Sequence, residues 1–263
     1  MTSIWGIVNV TPDSFSDGGR YLDRSLAIAH GRHLRDQGAH VLDVGGESTR
    51  PGSKPVGAEE EIRRVLPVIT ALAADGATVS VDTYRAETAR EAVAAGARIV
   101  NDVSGGLADP EILDVVAETG ATVALGHWRG PSADMYAKAT YDSVADEVVA
   151  ELGERVDAAL AAGVARTRII LDPGIGFAKA GDQNWALLRA LPAVQALGFP
   201  VLIGTSRKRF LAQAVGEEAT QDQKDLATAV TSVLAAQLNV HAVRVHNVTA
   251  TRDALAVLDV WRG

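Results

Sequence analysis

Cysteine is absent from this chain of 263 residues. Its absence excludes disulfide bonds, thiolate metal sites and a cysteine nucleophile, and it fits a protein of the reducing cytoplasm. The chain also lacks an apolar run of membrane-spanning length, and its N-terminal stretch does not have the charged start and apolar segment of a secretion signal. We therefore expect a soluble, cytoplasmic protein without a membrane partner.

A surplus of positive charge is missing as well. The formal net charge is −8, which argues against general affinity for nucleic acids or anionic membranes. Any anion must therefore be bound at a local site. Hydrophobic residues at 47% and charged residues at 22% are typical of a globular protein with a substantial core. No linker or low-complexity tract divides the chain, so we predict one domain that covers residues 1–263.

Apolar segments of strand length recur along the chain, and most of them end in a polar residue. The eight candidates are IWGIVN (4–9), AHVLDVGGE (39–47), ATVSVDT (77–83), ARIVNDVSGG (97–106), ATVALGH (121–127), RIILDPG (168–174), PVLIGTS (200–206) and AVRVHN (242–247). Such near-continuous apolar runs favour parallel strands that are buried on both faces. Helical patterns lie between them, at 59–75, 143–163, 183–198 and 224–238. The α/β pattern predicts a (β/α)₈ TIM barrel, with a doubly wound open sheet as the alternative.

Glycine and long loops punctuate this repeat. Glycines precede several strands at a position that suits the left-handed residue ending a helix, namely Gly38, Gly76, Gly96, Gly120 and Gly198. The loops after the first and second strands, at 11–19 and 45–56, are long and rich in Gly, Pro, Ser and Thr. Long loops of this kind are usually functional.

Polar residues at the predicted strand ends are the candidate site. The active site of such a barrel lies at the carboxyl ends of its strands. One mouth should therefore collect Asn9, Asp82, Asn101, Asp172, Ser206, Lys208, Arg244 and His246. Asp82, Asn101 and Asp172 can accept hydrogen bonds from ring N–H and amino groups, which suits a flat, nitrogen-rich heterocycle.

The last and first strands, which are adjacent in a closed barrel, suggest an anion site. Arg244 and His246 beside Asn9 could hold a phosphate or diphosphate, and the Asn9 carbonyl could ligate Mg²⁺. The basic segment TSRKR (205–209) adds a hydroxyl and positive charge next to them. This explains why an acidic protein carries a compact group of cations directly after a buried strand.

Purely structural roles remain open for the same residues. Asp82 and Asn101 could cap helices instead of binding a ligand. Arg207 and Arg209 are typical of a solvated helix start, whereas Lys208 between them is expected to point inward. Core packing is the alternative for His127, Trp128, Phe177 and His246.

Seven segments resemble the dihydropteroate synthase family in order and spacing. They are NVTPDSFSDGG (9–19), DVGGESTRPGS (43–53), SVDT (80–83), NDVSGG (101–106), LDPGIGFAK (171–179), GTSRKRF (204–210) and RVHNV (244–248). The HWR segment at 127–129 resembles the actinobacterial branch. The resemblance implies condensation of 6-hydroxymethyl-7,8-dihydropterin diphosphate with p-aminobenzoate to 7,8-dihydropteroate and diphosphate, a step of folate biosynthesis. It also implies a Mg²⁺-dependent homodimer that sulfonamides inhibit.

The resemblance further implies a role for each matching residue. The pterin ring would be bound by Asp82, Asn101, Asp172, Gly204 and Lys208. The diphosphate would be bound by Asn9, Arg244 and His246, with Asn9 as the Mg²⁺ ligand. The p-aminobenzoate pocket would be lined by Phe15, Asp17, Thr49, Arg50, Pro51, Phe177, Ser206 and Lys208.

The mechanism implied by the resemblance is dissociative. Diphosphate leaves first, and the aniline nitrogen traps the resulting pterin cation. Arg244, His246 and Mg²⁺ would stabilise the leaving charge, while Asp17 and Asp172 would favour the cation. Closure of the first two loops would exclude water. The predicted catalytic set is therefore Asp17, Asp172, Lys208, Arg244 and His246.

Three residues depart from the pattern of the family. Gly126 stands in place of a methionine that packs on the pterin, which predicts looser stacking. Asn247 stands in place of an aspartate, which removes a charge beside the diphosphate site. Trp5 stands in place of a smaller apolar residue and is interpreted as a core change. The alternatives are a methyltetrahydrofolate:corrinoid methyltransferase barrel and a non-catalytic pterin-binding paralogue.

Overall fold

The computed structural model describes residues 1–11, 20–47, 56–130, 139–216 and 218–263, and for residues 20–23 it describes the backbone alone. The two long loops predicted to cover the site fall largely between these ranges. The predicted site residues Phe15, Asp17, Thr49, Arg50 and Pro51 therefore lie outside the described residues.

Eight parallel strands form one sheet that curls into a barrel. They are β1 (Ser3–Asn9), β2 (Val41–Gly45), β3 (Val79–Asp82), β4 (Ile99–Asp102), β5 (Thr122–Gly126), β6 (Ile169–Asp172), β7 (Leu202–Ile203) and β8 (Ala242–Val245). Their order is β6-β5-β4-β3-β2-β1-β8-β7, and a parallel bridge between Leu171 and Val201 joins the two ends. Because β1 lies between β2 and β8, the barrel is confirmed and the open doubly wound sheet is wrong.

Ten helices of the described residues follow the strands. They are α1 (Arg20–Asp36), α2 (Ala58–Ala74), α3 (Ala86–Ala94), α4 (Ile112–Thr119), α5 (Val144–Ala161), α6 (Gly181–Arg189), α7 (Leu191–Gln195), α8 (Arg209–Val215), α9 (Gln221–Gln237) and α10 (Val248–Arg262). The single helix predicted at 183–198 is wrong, because Pro192 lacks the amide hydrogen that an uninterrupted helix needs, and it lies instead in the first turn of α7. None of the helices described is long and apolar enough to cross a membrane.

The left-handed glycines before the strands are confirmed. Gly38, Gly76, Gly96, Gly120 and Gly198 all have positive φ, from 67° to 111°. At Gly96 a Cβ would also lie 2.7 Å from the Cβ of Ala73, so both the backbone conformation and the packing of α2 require glycine there. These positions return the chain from each helix to the next strand.

The barrel interior is a separate apolar cluster with contributions from seven strands. It contains Trp5, Val41, Ile99, Ala124, Ile170, Leu202 and Ala242. Trp5 is fully buried there, which confirms its interpretation as a core residue. Since side chains alternate along a strand, the residues two and four positions further along face the same interior at the carboxyl end of the barrel.

Candidate active site

The polar ends of several strands lie at one level of the barrel. The strand register pairs Asn9 with Gly45, Gly45 with Asp82, and Asp82 with Asn101. Alternation places all of them on the inward face. Asp172 is the last residue of β6 and joins them at the same mouth. The convergence predicted for these strand ends is therefore present.

A buried ion-pair cluster centred on Arg244 forms the base of this mouth. Arg244 Nε donates to Asp43 Oδ2 at 2.5 Å, and a terminal nitrogen of Arg244 donates to Asp82 Oδ2 at 2.6 Å. Asn101 Nδ2 donates to the same Asp43 oxygen at 3.1 Å. Asp43 is fully buried, and its Oδ1 has no hydrogen-bond partner among the described residues. One guanidinium thus contacts two carboxylates from neighbouring strands.

Helix capping does not account for Asp82 and Asn101. Both side chains are engaged in the cluster around Arg244. Helix α3 begins after Arg85, and α4 begins after Glu111, and neither of these residues makes a side-chain cap. The cap interpretation of Asp82 and Asn101 is therefore wrong, and both residues stay available to the mouth.

Burial shifts the ionisation of the charged groups at this mouth. It raises the pKa of Asp82 to about 7; the Asp43 carboxylate adds to the rise, and Arg244 opposes it. Burial lowers the pKa of Lys208 to about 8, although the Asp172 carboxylate acts in the opposite direction. Asp82 therefore changes its protonation state near neutral pH, which is typical of functional carboxylates.

Lys208 points inward, as predicted. Its Nζ donates a short hydrogen bond to the carbonyl of Ile175 and lies 4.5 Å from the centre of the Phe177 ring. The prediction that Arg207 is a solvated surface cation is wrong. Arg207 has a φ of 57° and donates to both carboxylate oxygens of Asp225, at 2.6 and 2.9 Å. The basic segment thus supplies one cation to the mouth and one to a structural ion pair.

Ser206 and His246 form a hydrogen-bonded pair beside the mouth. Ser206 Oγ lies 2.9 Å from His246 Nδ1 and accepts from the His246 backbone amide at 3.1 Å. Gly204, two residues before Ser206, leaves space near Lys208, since a Cβ at Gly204 would lie 3.8 Å from Lys208 Nζ. The predicted partners of the p-aminobenzoate carboxylate and of the diphosphate are therefore linked through one hydroxyl group.

Two acidic residues of the site were missed by the sequence interpretation. Asp43 is the central acceptor of the Arg244 cluster, and Glu61 is buried on α2 with the Thr83 and Thr88 hydroxyls as donors, at 3.1 and 2.7 Å. A signal for Asp43 was available, because a charged residue in the middle of an apolar strand needs a buried partner. Glu61 lies on an amphipathic helix whose acidic start is indistinguishable from a solvated one.

Arg85 joins the two sides of the second loop. One of its terminal nitrogens donates to Glu47 Oε2 at 2.8 Å and to the Val56 carbonyl at 2.6 Å, and the other donates to Glu61 Oε2 at 3.0 Å. The Val56 amide also donates to Glu47 Oε2 at 2.8 Å. Residues 47 and 56 are therefore held together by one guanidinium and one carboxylate.

Asn247 has a structural role that its sequence position did not reveal. Its Oδ1 accepts from the Ala250 amide at 3.0 Å and caps α10, while its Nδ2 donates to Asp225 Oδ2 at 3.1 Å. Asp225 is the carboxylate that binds Arg207. The side chain therefore works as both an acceptor and a donor, which an aspartate cannot do when it is ionised.

Substituting Asn247→Asp should destabilise the protein. The cap would survive, because Asp and Asn are equivalent caps, but the donor to Asp225 would become a second carboxylate. We expect the free energy of unfolding to fall by about 1–2 kcal/mol at pH 7, with most of the loss recovered near pH 4 as a carboxylate is protonated. Urea denaturation at both pH values measures this. An equal loss at the two pH values would contradict the repulsion between the carboxylates.

Gly126 is required by the turn that follows β4. A Cβ at this position would lie 2.4 Å from the carbonyl oxygen of Val103 and 2.6 Å from its Cα. The space that a side chain would take is therefore filled by backbone. The glycine that replaces the family's methionine at position 126 thus accompanies a close approach between the turn after β4 and the end of β5.

Comparisons with known proteins agree with this geometry. The profile of the family described as "Pterin binding enzyme" matches residues 5–246. The dihydropteroate synthase of Mycobacterium leprae is 52% identical over 261 residues, which are 97% of this chain and 92% of that protein. The structure of Xanthomonas albilineans dihydropteroate synthase with 4-aminobenzoic acid superposes with a TM-score of 0.93 at 45% identity, covering 100% of this chain and 93% of the other.

A second solved structure is also similar to this chain. It is the Xanthomonas albilineans enzyme in complex with 7,8-dihydropteroate, with a TM-score of 0.89 at 42% identity, and it covers 100% of this chain and 94% of the other. Family profile, sequence identity and fold agree over nearly the entire length. The chain therefore belongs to the pterin-binding enzyme family and, within it, to the dihydropteroate synthases.

Proposed function

We propose that the protein condenses 6-hydroxymethyl-7,8-dihydropterin diphosphate with p-aminobenzoate, forming 7,8-dihydropteroate and diphosphate. The observation that supports this most directly is the Arg244 cluster, which holds Asp82 and Asn101 in fixed orientations at the mouth. Fixed carboxylate and amide groups suit the amino and ring N–H donors of a pterin. Asp172 on the opposite side provides a third acceptor, and the Gly174 amide orients it through a hydrogen bond of 2.8 Å.

The reaction proposed for this site is dissociative. Asp172 and Asp82 place negative charge around the ring, which favours the positive charge that develops on the pterin as diphosphate leaves. Lys208 lies between the two sides, with the Phe177 ring beneath its ammonium group. The cation would be trapped by the aniline nitrogen of p-aminobenzoate, whose carboxylate would be received near Ser206.

Mg²⁺ is part of this proposal. Among the described residues, no group of three His, Cys, Asp or Glu side chains is arranged to hold a metal without further ligands. Mg²⁺ commonly keeps several waters and takes one or two protein oxygens together with substrate phosphates. Asn9, partly exposed at the end of β1, fits as such a single protein ligand. When bound, the ion would offset the negative charge on the departing diphosphate.

The proposed reaction is tested by incubating the purified protein with the dihydropterin diphosphate and Mg²⁺, with and without p-aminobenzoate. We expect dihydropteroate and diphosphate in equal amounts when both substrates are present, and inhibition by a sulfonamide that competes with p-aminobenzoate. Slow diphosphate release without p-aminobenzoate would support the dissociative route. Tight pterin binding with no release would instead identify a non-catalytic pterin-binding protein.

Pterin affinity should depend on pH through Asp82. The pterin N–H groups need the ionised carboxylate, so binding favours the deprotonated form and weakens as the pH falls through the free-protein pKa of about 7. We expect the Kd to rise about tenfold per pH unit below 6.5 and to level off above 7.5. Calorimetric titrations between pH 5.5 and 8 measure it, with Asp82→Asn as the control. A slope that persists in Asp82→Asn would assign the titration to another group.

We also propose that the protein is a homodimer. Six of the eleven exposed large hydrophobic residues of the described chain lie on the adjacent helices α9 and α10, namely Leu226, Val230, Leu234, Val257, Val260 and Trp261. Spacing by four residues aligns the three on α9 along one face. A second copy of this chain, as the family resemblance implies, would cover this face.

The dimer proposal predicts a change of mass on substitution. The wild-type protein should have twice the chain mass of 27.5 kDa in light scattering after size-exclusion chromatography. Leu234→Asp should give the monomer, because it places a charge in the apolar face. Leu160→Asp, at an exposed leucine on α5, is the matched control and should leave the dimer intact. A wild-type monomer would contradict the proposal.

A further inference from the structure

A buried lysine outside the predicted site holds the segment that follows β6. Lys179 is 1% exposed, which is rare for this residue type. Its Nζ contacts His127 Nδ1 at 2.9 Å, the Gly174 carbonyl at 3.0 Å and the Phe177 carbonyl at 2.9 Å. An ammonium group has three N–H donors, and each of them has a partner here. None of the three partners is a carboxylate.

His127 is fixed as the neutral partner of this lysine. Its Nε2 lies 2.9 Å from Glu151 Oε2, so Nε2 carries the proton and Nδ1 is left as the acceptor for Lys179. Burial lowers the pKa of His127 to about 2, and the charge of Lys179 adds to this effect. The prediction that His127 could be a hydrogen-bonded core histidine is thus confirmed, and both of its ring nitrogens are used.

The segment 173–178 connects this lysine to Lys208. Its carbonyls at Gly174 and Phe177 bind Lys179, whereas its carbonyl at Ile175 and the ring of Phe177 contact Lys208. The segment depends on these contacts, because Gly174 and Gly176, with φ of 67° and 82°, belong to the residue type with the greatest backbone freedom, and Ala178 is held at a φ of 48°. A Cβ at Gly176 would lie 2.7 Å from Lys208 Cδ. The position of Lys208 therefore depends on the position of this backbone.

We propose that Lys179 is a positioning residue for pterin binding, because it holds the segment 173–178 so that the Ile175 carbonyl and the Phe177 ring fix Lys208. This inference rests on the proposed function of the mouth. Lys179 itself does not reach the mouth. It acts through one turn of backbone, and His127 and Glu151 hold it from the other side.

Loss of the ammonium group would release this backbone. A methionine at position 179 has nearly the same shape but no donor, so two buried carbonyls and His127 Nδ1 would lose their partner. Lys208 would then keep its charge and lose its fixed orientation. Positioning of this kind is expressed in ligand affinity and not only in stability.

A double-mutant cycle separates positioning from a general structural effect. We expect Lys179→Met to weaken binding of 6-hydroxymethyl-7,8-dihydropterin diphosphate about tenfold in the wild-type background and less than about twofold in the Lys208→Met background. Isothermal titration calorimetry of all four proteins measures this. Lys224→Met, at a partly exposed lysine of α9, is the matched control and should leave the affinity unchanged.

Equal losses in both backgrounds, or no loss in either, would overturn the proposal, since Lys179 would then not act through Lys208. If Lys179→Met does not fold, Glu151→Met takes its place in the same cycle, because it removes the acceptor that keeps the proton on His127 Nε2. We expect a smaller loss that again disappears with Lys208→Met, and an unchanged affinity would overturn the proposal. The cycle measures binding, so its result is independent of product formation. Coupling between positions 179 and 208 without any dihydropteroate formed would contradict the proposed reaction alone. Dihydropteroate formation without this coupling would contradict the inference about Lys179 alone.

Discussion

Replacing Arg85 with methionine should lower the free energy of unfolding by about 3–5 kcal/mol. The Arg85 guanidinium contacts both Glu47 and Glu61, at 2.8 and 3.0 Å. Glu61 is 1% exposed, and its remaining donors are two threonine hydroxyls. Without the cation, the Glu61 charge would stay buried and uncompensated, which is the costly way to break an ion pair.

Urea denaturation of the purified variant measures this effect. Arg90→Met is the matched control, because Arg90 pairs with Glu118 at 2.7 Å on the exposed surface, where removal should cost less than about 1 kcal/mol. Adding Glu61→Gln to Arg85→Met should recover part of the stability, since it removes the stranded charge. If Arg85→Met and Arg90→Met lower the free energy of unfolding by the same amount, the buried ion pairs of Arg85 with Glu47 and Glu61 contribute no more than a surface pair.

Replacing Arg244 with glutamine should lower kcat/KM for the proposed condensation about 100- to 1,000-fold. Arg244 is the cation that both Asp43 and Asp82 contact, and its charge holds the pKa of Asp82 down against burial. Without it, Asp82 should be protonated at neutral pH and lose its value as an acceptor for the pterin. The orientation of Asn101, which shares the Asp43 oxygen, should loosen as well.

Steady-state rates and pterin affinity of this variant should change together, because the loss begins with binding. Arg252→Gln is the control, since Arg252 pairs at the surface with Asp253 and should leave kcat/KM unchanged. A drop in kcat/KM of less than threefold in Arg244→Gln would show that the cluster is not part of the active site. Urea denaturation of the same variant separates loss of activity from loss of fold.

The barrel fold and the position of the polar residues at the carboxyl ends of its strands could be predicted from the sequence, because both follow from a regular pattern. Several of the parallel strands are mainly apolar until their last residues, so Asp82, Asn101 and Asp172 could be placed before any contact was known. Lys208 could be assigned inward from its two charged neighbours. These predictions depend only on local periodicity and on the closure of the barrel.

Pairings between distant residues could not be predicted in this way. Asp43 and Arg244 are 201 positions apart, and no local pattern states which carboxylate a buried arginine will choose. The sequence predicts Arg207 to be solvated because its partner, Asp225, lies 18 positions further along the chain, on α9. The same holds for Lys179, whose partners are backbone carbonyls and a histidine. Sequence patterns show which residues face inward, whereas the balance of buried charges determines the partners with which they form ion pairs and hydrogen bonds.

Trp5 gives the barrel an optical probe of its own. It is 1% exposed and lies in register with Arg244, on the adjacent strand of the barrel interior. Indole emission responds to nearby charge, so ligand entry above the cluster should change the fluorescence of this residue. Of the other three tryptophans, Trp185 packs edge-on against Phe210, Trp261 is exposed at the end of α10, and Trp128 follows the end of β5 at the mouth. A protein with phenylalanine at positions 128, 185 and 261 would therefore report binding in real time without any attached label.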